Sequence, residues 1–73
     1  MIDPIAEELM VRLRAAIAVE TEALRALTAA SEQIPSDYNV LGPAYVKKEA
    51  STKQVALAWK ELDDFMAPFK ARP

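Results

Sequence analysis

The acidic run ELDDF contains the densest group of side chains that could do acid–base or metal chemistry: Glu61, Asp63 and Asp64. Residues next to one another on a helix point in different directions, so these carboxylates do not converge on one ion. Glu20 has no titratable group three or four residues away that could share proton transfer with it. We therefore expect no enzyme, and neither catalytic nor metal-ligating residues.

The composition excludes several further kinds of site. The chain has no cysteine and no histidine, which removes disulfides, thiolate chemistry and the usual zinc sites. Its single glycine cannot build a glycine-rich phosphate loop, so no cofactor is expected. A formal net charge of −2 makes nucleic acid an unlikely partner. The longest apolar run, AAIAV, is far shorter than the roughly 20 residues of a membrane span. We expect a cytoplasmic protein without membrane contact.

The size of the chain points to association. A single domain of 73 residues gains only marginal stability from its own core, and proteins of this size add disulfides, a metal or a partner chain. With the first two excluded, the sequence predicts a homo-oligomer, most simply a dimer.

A first helix is predicted over about residues 3–33. Asp3 can cap it, and Pro4 suits the first helical position. Residues spaced by three, four or seven positions predict one apolar stripe, and small residues predict a second face for close helix approach. The stripe is Ile2, Ile5, Leu9, Leu13, Ile17, Leu24 and Leu27, and the small face is Ala15, Ala18, Val19, Ala23, Ala26 and Ala30. Two apolar faces exceed what one partner helix can cover.

Glu20 falls where the first stripe lacks an apolar residue. Either it lies at the edge of the stripe and reaches water, or it forms a buried polar layer that fixes register or partner choice. Both interpretations remain open at this stage.

A second helix is predicted over about residues 43–67, opened by Pro43 after Gly42. A rival start lies at Ser51, where STKQ has the pattern of a capping box. The apolar stripe of this helix is Val55, Ala58, Trp59, Leu62, Phe65, Met66 and Phe69. Trp59, Phe65, Met66 and Phe69 are candidate anchors for self-association or for a partner, since aromatic residues are common in interface cores.

Residues 34–43 form the predicted connection. Ile34, Val40 and Leu41 are expected to cap the end of the bundle near Leu27. The alternative is a presented loop in which Tyr38, Asn39 and Tyr45 contact a partner, with Lys47 and Lys48 beside them.

The resulting expectation is an all-α protein: one antiparallel two-helix hairpin over residues 1–73, paired with a second copy in a four-helix bundle. Its expected function is non-catalytic binding and modulation of a partner protein, of the adaptor, chaperone or inhibitor type, such as a phage-type inhibitor of a host protein. The alternatives are a nucleic-acid-associated regulator using Arg12, Arg14 and Arg25, or a structural subunit of a larger assembly.

Overall fold

Two long helices make up the described part of the chain. The computed structural model describes residues 3–70, with Lys70 described by its backbone alone. Helix α1 spans Pro4–Ser31 and helix α2 spans Tyr38–Lys70. They pack against each other as a rod-like hairpin of 57 × 21 × 15 Å. The predicted all-α hairpin is confirmed.

Helix α1 begins as its sequence predicts. The Asp3 carboxylate accepts hydrogen bonds from the backbone N–H groups of Ile5 at 2.8 Å and Ala6 at 3.4 Å. Pro4 occupies the first turn, where its missing N–H costs no helical hydrogen bond. The helix ends at Ser31, two residues before the predicted limit of 33.

Helix α2 begins at Tyr38, five residues before the predicted start at Pro43. The reason is a cap at Asp37, whose carboxylate accepts a hydrogen bond from the Asn39 N–H at 3.0 Å. Pro43 therefore lies inside the helix and removes the N–H that would bond to the Asn39 carbonyl. The rival start at Ser51 is wrong, because the helix runs without interruption through this residue.

One heptad seam holds the hairpin together. Among residues 3–70, every described side chain that is buried or half-buried lies in it, and successive members alternate steps of three and four residues. This spacing keeps one line of side chains facing the other helix. The seam consists of Ala6, Leu9, Leu13, Ala16, Glu20, Ala23, Leu27 and Ala30 on α1, and Leu41, Ala44, Lys48, Ser51, Val55, Ala58, Leu62 and Phe65 on α2.

The predicted stripe of α1 is only partly right. Leu9, Leu13 and Leu27 lie in the seam, whereas Ile5, Ile17 and Leu24 are exposed; Ile2 lies outside the described residues. Much of the seam consists of Ala or Ser, and small residues let the helices approach closely. From the predicted small face only Ala23 and Ala30 take part, and Ala15, Ala18, Val19 and Ala26 are exposed.

The predicted stripe of α2 divides in the same way. Val55, Ala58, Leu62 and Phe65 lie in the seam. Trp59, Met66 and Phe69 are exposed. Neither helix, within residues 3–70, contains a stretch long and apolar enough to cross a membrane.

Candidate interaction surface

Contacts between the helices on one flank of the seam fix the antiparallel register. The Arg12 guanidinium lies 3.7 Å from a carboxylate oxygen of Glu61. Further along the same flank, Ala26 and Lys47 line one groove together. Each of these four residues directly precedes a seam position of its own helix. On this flank, therefore, residues just before seam positions of α1, such as the one before Leu13, meet residues just before seam positions of α2, such as the one before Leu62.

The other flank carries a row of large apolar side chains. Every member except Tyr38 directly follows a seam position, on the side away from the Arg12–Glu61 ion pair. The members recur every seven residues along each helix, and Tyr38 continues this spacing by one step beyond the seam. All are exposed. We call this row the apolar strip: Met10, Ile17 and Leu24 on α1, and Tyr38, Tyr45, Trp59 and Met66 on α2, with Thr52 in the remaining position.

The two flanks differ in polarity. Next to the strip, charged positions alternate with small or hydroxyl residues such as Thr21 and Ala56. On the opposite flank, exposed apolar residues including Val19 and Leu57 are separated by charged residues such as Arg12 and Glu61. The longer row of large apolar side chains therefore lies on the strip, where only Thr52 interrupts it.

The structure separates the predicted anchor residues. Trp59 and Met66 lie on the strip. Phe65 is half-buried in the seam, and its ring packs on that of Phe69 at a centroid distance of 5.9 Å and an angle of 47°. Phe65 thus joins the helices, and Phe69 extends an exposed ring from the end of the seam.

Glu20 lies in the seam and is half-buried. Its carboxylate makes no hydrogen bond or ion pair among residues 3–70, and its seam neighbours along α1 are Ala16 and Ala23. Lys48 is the other charged seam residue; a lysine there packs its methylene stem against the partner helix while its ammonium reaches water. The seam thus places a charge on each helix near its middle.

Replacing Glu20 with leucine should stabilise the hairpin by about 1–2 kcal/mol, since a half-buried carboxylate gives way to an apolar side chain. Urea unfolding monitored by circular dichroism measures the change. Glu22→Leu, on an exposed position of the same helix, is the matched control and should leave the free energy of unfolding nearly unchanged. Equal stability of Glu20→Leu and the wild type would show that this carboxylate is effectively in water.

The connection does not form the predicted cap. Ile34 is 97% exposed and Val40 is also exposed. Only Leu41 is half-buried, in an open groove of about 370 Å³ that it lines with Leu27, Tyr38 and other residues of α2. The early start of α2 explains the difference, because it places Val40 on an exposed position of the first helical turn, on the flank of the seam. The Ile34–Pro35 peptide bond is cis.

The two tyrosines of the predicted loop lie on the first turns of α2. The Tyr45 hydroxyl donates a hydrogen bond to a carboxylate oxygen of Glu49 at 3.0 Å. This hydrogen bond, with the charge of the carboxylate, raises the pKa of Tyr45. Asn39 donates its backbone N–H to the Asp37 cap. Tyr38 and Tyr45 both line the groove beside Leu27, so they lie at one end of the strip.

Truncating Tyr38 to alanine should change the free energy of unfolding by less than about 0.5 kcal/mol, because the side chain is 80% exposed. Thermal unfolding at a protein concentration low enough for the chain to be monomeric measures it, so that a contact of Tyr38 with a second copy does not contribute. A loss of several kcal/mol would mean that the ring covers the Leu27 end of the seam after all.

Several of the charged residues singled out in the sequence are engaged in ordinary ion pairs. Asp64 accepts from Lys60 at 3.2 Å, and Glu61 faces Arg12. Arg25 pairs with Glu22 at 3.0 Å. Within residues 3–70, no three acidic side chains are grouped so that they could hold a metal ion.

Sequence reasoning missed that Met10, Ile17 and Leu24 form one surface row. The signal was the seven-residue repeat: Ala16, Ala23 and Ala30 recur at this spacing, as do Ala44, Ser51 and Ala58. Such runs of small residues mark a close helix contact and exclude the larger neighbours from it.

Comparison with known proteins adds no relative. No protein-family model matches the chain, no curated protein matches its sequence, and no solved structure matches its fold.

Proposed function

We propose that this protein is a non-catalytic interaction module that works as a homodimeric four-helix bundle and, in that form, binds and modulates another protein. The observation that carries the proposal is the apolar strip, which runs along the hairpin and is exposed within the described residues 3–70. Large exposed apolar patches mark interaction sites in soluble proteins.

The accessible surface supports this proposal quantitatively. The chain has a mass of 8.1 kDa and an accessible surface of 5845 Å². A compact monomer of this mass exposes only about 4,500 Å². The difference between these two areas is larger than the roughly 800 Å² that each partner buries in a standard protein interface. A partner that covers the strip would reduce this surplus of exposed surface.

Sedimentation equilibrium over a wide concentration range, with helicity followed by circular dichroism, tests the proposal. We expect a helical species of twice the chain mass that persists at low micromolar concentration. A helical monomer at every concentration would contradict the dimer, and the strip would then belong wholly to the contact with another protein.

Two of the three arginines that could serve nucleic-acid binding are already held by carboxylates, which favours this function over nucleic-acid binding. Arg12 is held by Glu8 at 3.3 Å and by Glu61, and Arg25 is held by Glu22. A phosphate backbone would have to displace these carboxylates. We expect no shift of DNA or RNA in a gel assay at low salt, where such binding is strongest.

A further inference from the structure

We propose that a second copy of this chain covers the apolar strip, with helix α1 of each copy lying along helix α2 of the other. This inference rests on the proposed function and deepens it, because it assigns the dimer contact to one flank and one orientation.

The shape of the strip selects a second hairpin as its occupant. The strip has a row on each helix, and it extends from Met10 to Leu24 on α1 and from Tyr38 to Met66 on α2. A single added helix would fill the space between the rows and leave their outer edges in water. A second hairpin is two helices wide and of the same length, and it offers an equal apolar row. The surplus accessible surface described above is also of the size that such a contact buries.

Charge along the edge of the strip selects the orientation. Arg14 lies beside Met10 and Ile17 and makes no hydrogen bond or ion pair among residues 3–70. The corresponding edge of α2 carries Glu49 and Asp63. When α1 lies along α2 of the second copy, the register set by Arg12 and Glu61 brings Arg14 within about one helical turn of Asp63 in that copy.

The opposite orientation places like charges together. If α2 lay on α2 of the second copy in antiparallel register, with the two-fold axis at Ala56, Glu49 of one chain would face Asp63 of the other, twice in each dimer. Juxtaposed like charges disfavour an interface. The chosen orientation also sets Ile17 about one helical turn from the level of Trp59 in the second copy, so that a smaller side chain can pack beside a larger one.

A matched pair of substitutions tests the flank. Trp59 is 53% exposed on the strip and Leu57 is 51% exposed on the opposite flank of the same helix. We expect Trp59→Glu to weaken the dimer by about 30-fold or more, as for an interface anchor, and Leu57→Glu to change its dissociation constant by no more than about twofold. Sedimentation equilibrium gives both constants. A dimer that survives Trp59→Glu but dissociates in Leu57→Glu would overturn the inference and leave the proposed function standing; a monomeric wild type would contradict both.

Cross-linking tests the orientation without disturbing the anchors. The chain contains no cysteine, so Thr21→Cys and Ala56→Cys each introduce a single thiol at an exposed position beside the strip. After the two variants are mixed and equilibrated, a short bis-maleimide should link Thr21→Cys chains to Ala56→Cys chains. Each variant alone should give far less linked dimer. Efficient linking within Ala56→Cys alone would overturn the orientation, because Ala56 faces itself only when α2 lies on α2.

Discussion

Leu13→Ala should destabilise the hairpin by about 2–5 kcal/mol, the range for removing a buried leucine from a core that cannot collapse around the gap. Leu13 is 3% exposed and lies in the part of the seam where large side chains meet, between Leu9 and Ala16 on its own helix. In a core with so few buried residues, this loss is a large share of the total stability. Urea unfolding at a fixed protein concentration measures it.

Leu57→Ala is the control for this change. It also shortens a helical leucine to alanine, but at an exposed position of α2 that lies outside the seam and the strip. We expect a difference of less than about 0.5 kcal/mol from the wild type. Similar losses in both variants would show that the seam does not determine which leucines support the fold.

Ala23→Leu should cost about 1–3 kcal/mol, although it adds apolar surface, because the seam has no room for it. Ala23 is buried, and the antiparallel register places it near Ser51, which is also buried and donates its hydroxyl to the Lys48 carbonyl. Three extra carbons between two small residues must push the helices apart. Thermal unfolding monitored by circular dichroism records the effect as a lower midpoint.

The matched control is Ala15→Leu, at an exposed position of the same helix. Leucine and alanine have similar helix propensities, so this variant should unfold within a few degrees of the wild type. If Ala23→Leu raised the midpoint of thermal unfolding instead, there would have to be a gap beside Ala23. The small residues of the seam would then not be in close contact there.

The hairpin itself could be predicted from the sequence because its determinants are local. Asp3 and Pro4 specify one helix start, and the breaker Pro35 lies between two long helical patterns. The start of α2 could not be placed, because the cap at Asp37 competes with a proline signal at Pro43. Both signals are strong locally, and packing of Leu41 against the Leu27 end favours the earlier one.

The site was harder to predict, since hydrophobicity alone assigns large side chains to the core. Here small residues occupy much of the contact, and Trp59 and Ile17 remain outside it. Whether a large apolar residue is core or surface then depends on the spacing of the alanines around it. Phe65 and Trp59, similar in type, end in different places for this reason.

Side-chain size changes along the seam, and this gradient decides where the backbone opens to solvent. Contacts beside the connection close the smallest loop and form at the least entropic cost. In this hairpin those contacts combine Leu27 and Leu41 with small or charged residues such as Ala30, Ala44 and Lys48. Larger seam residues, among them Leu13 and Leu62, lie toward the free ends of the helices. We therefore expect amide hydrogen exchange to be fastest at the connected end and slowest around Leu13 and Leu62. The six residues between the helices would then act mainly as a tether that keeps the two helices at high local concentration.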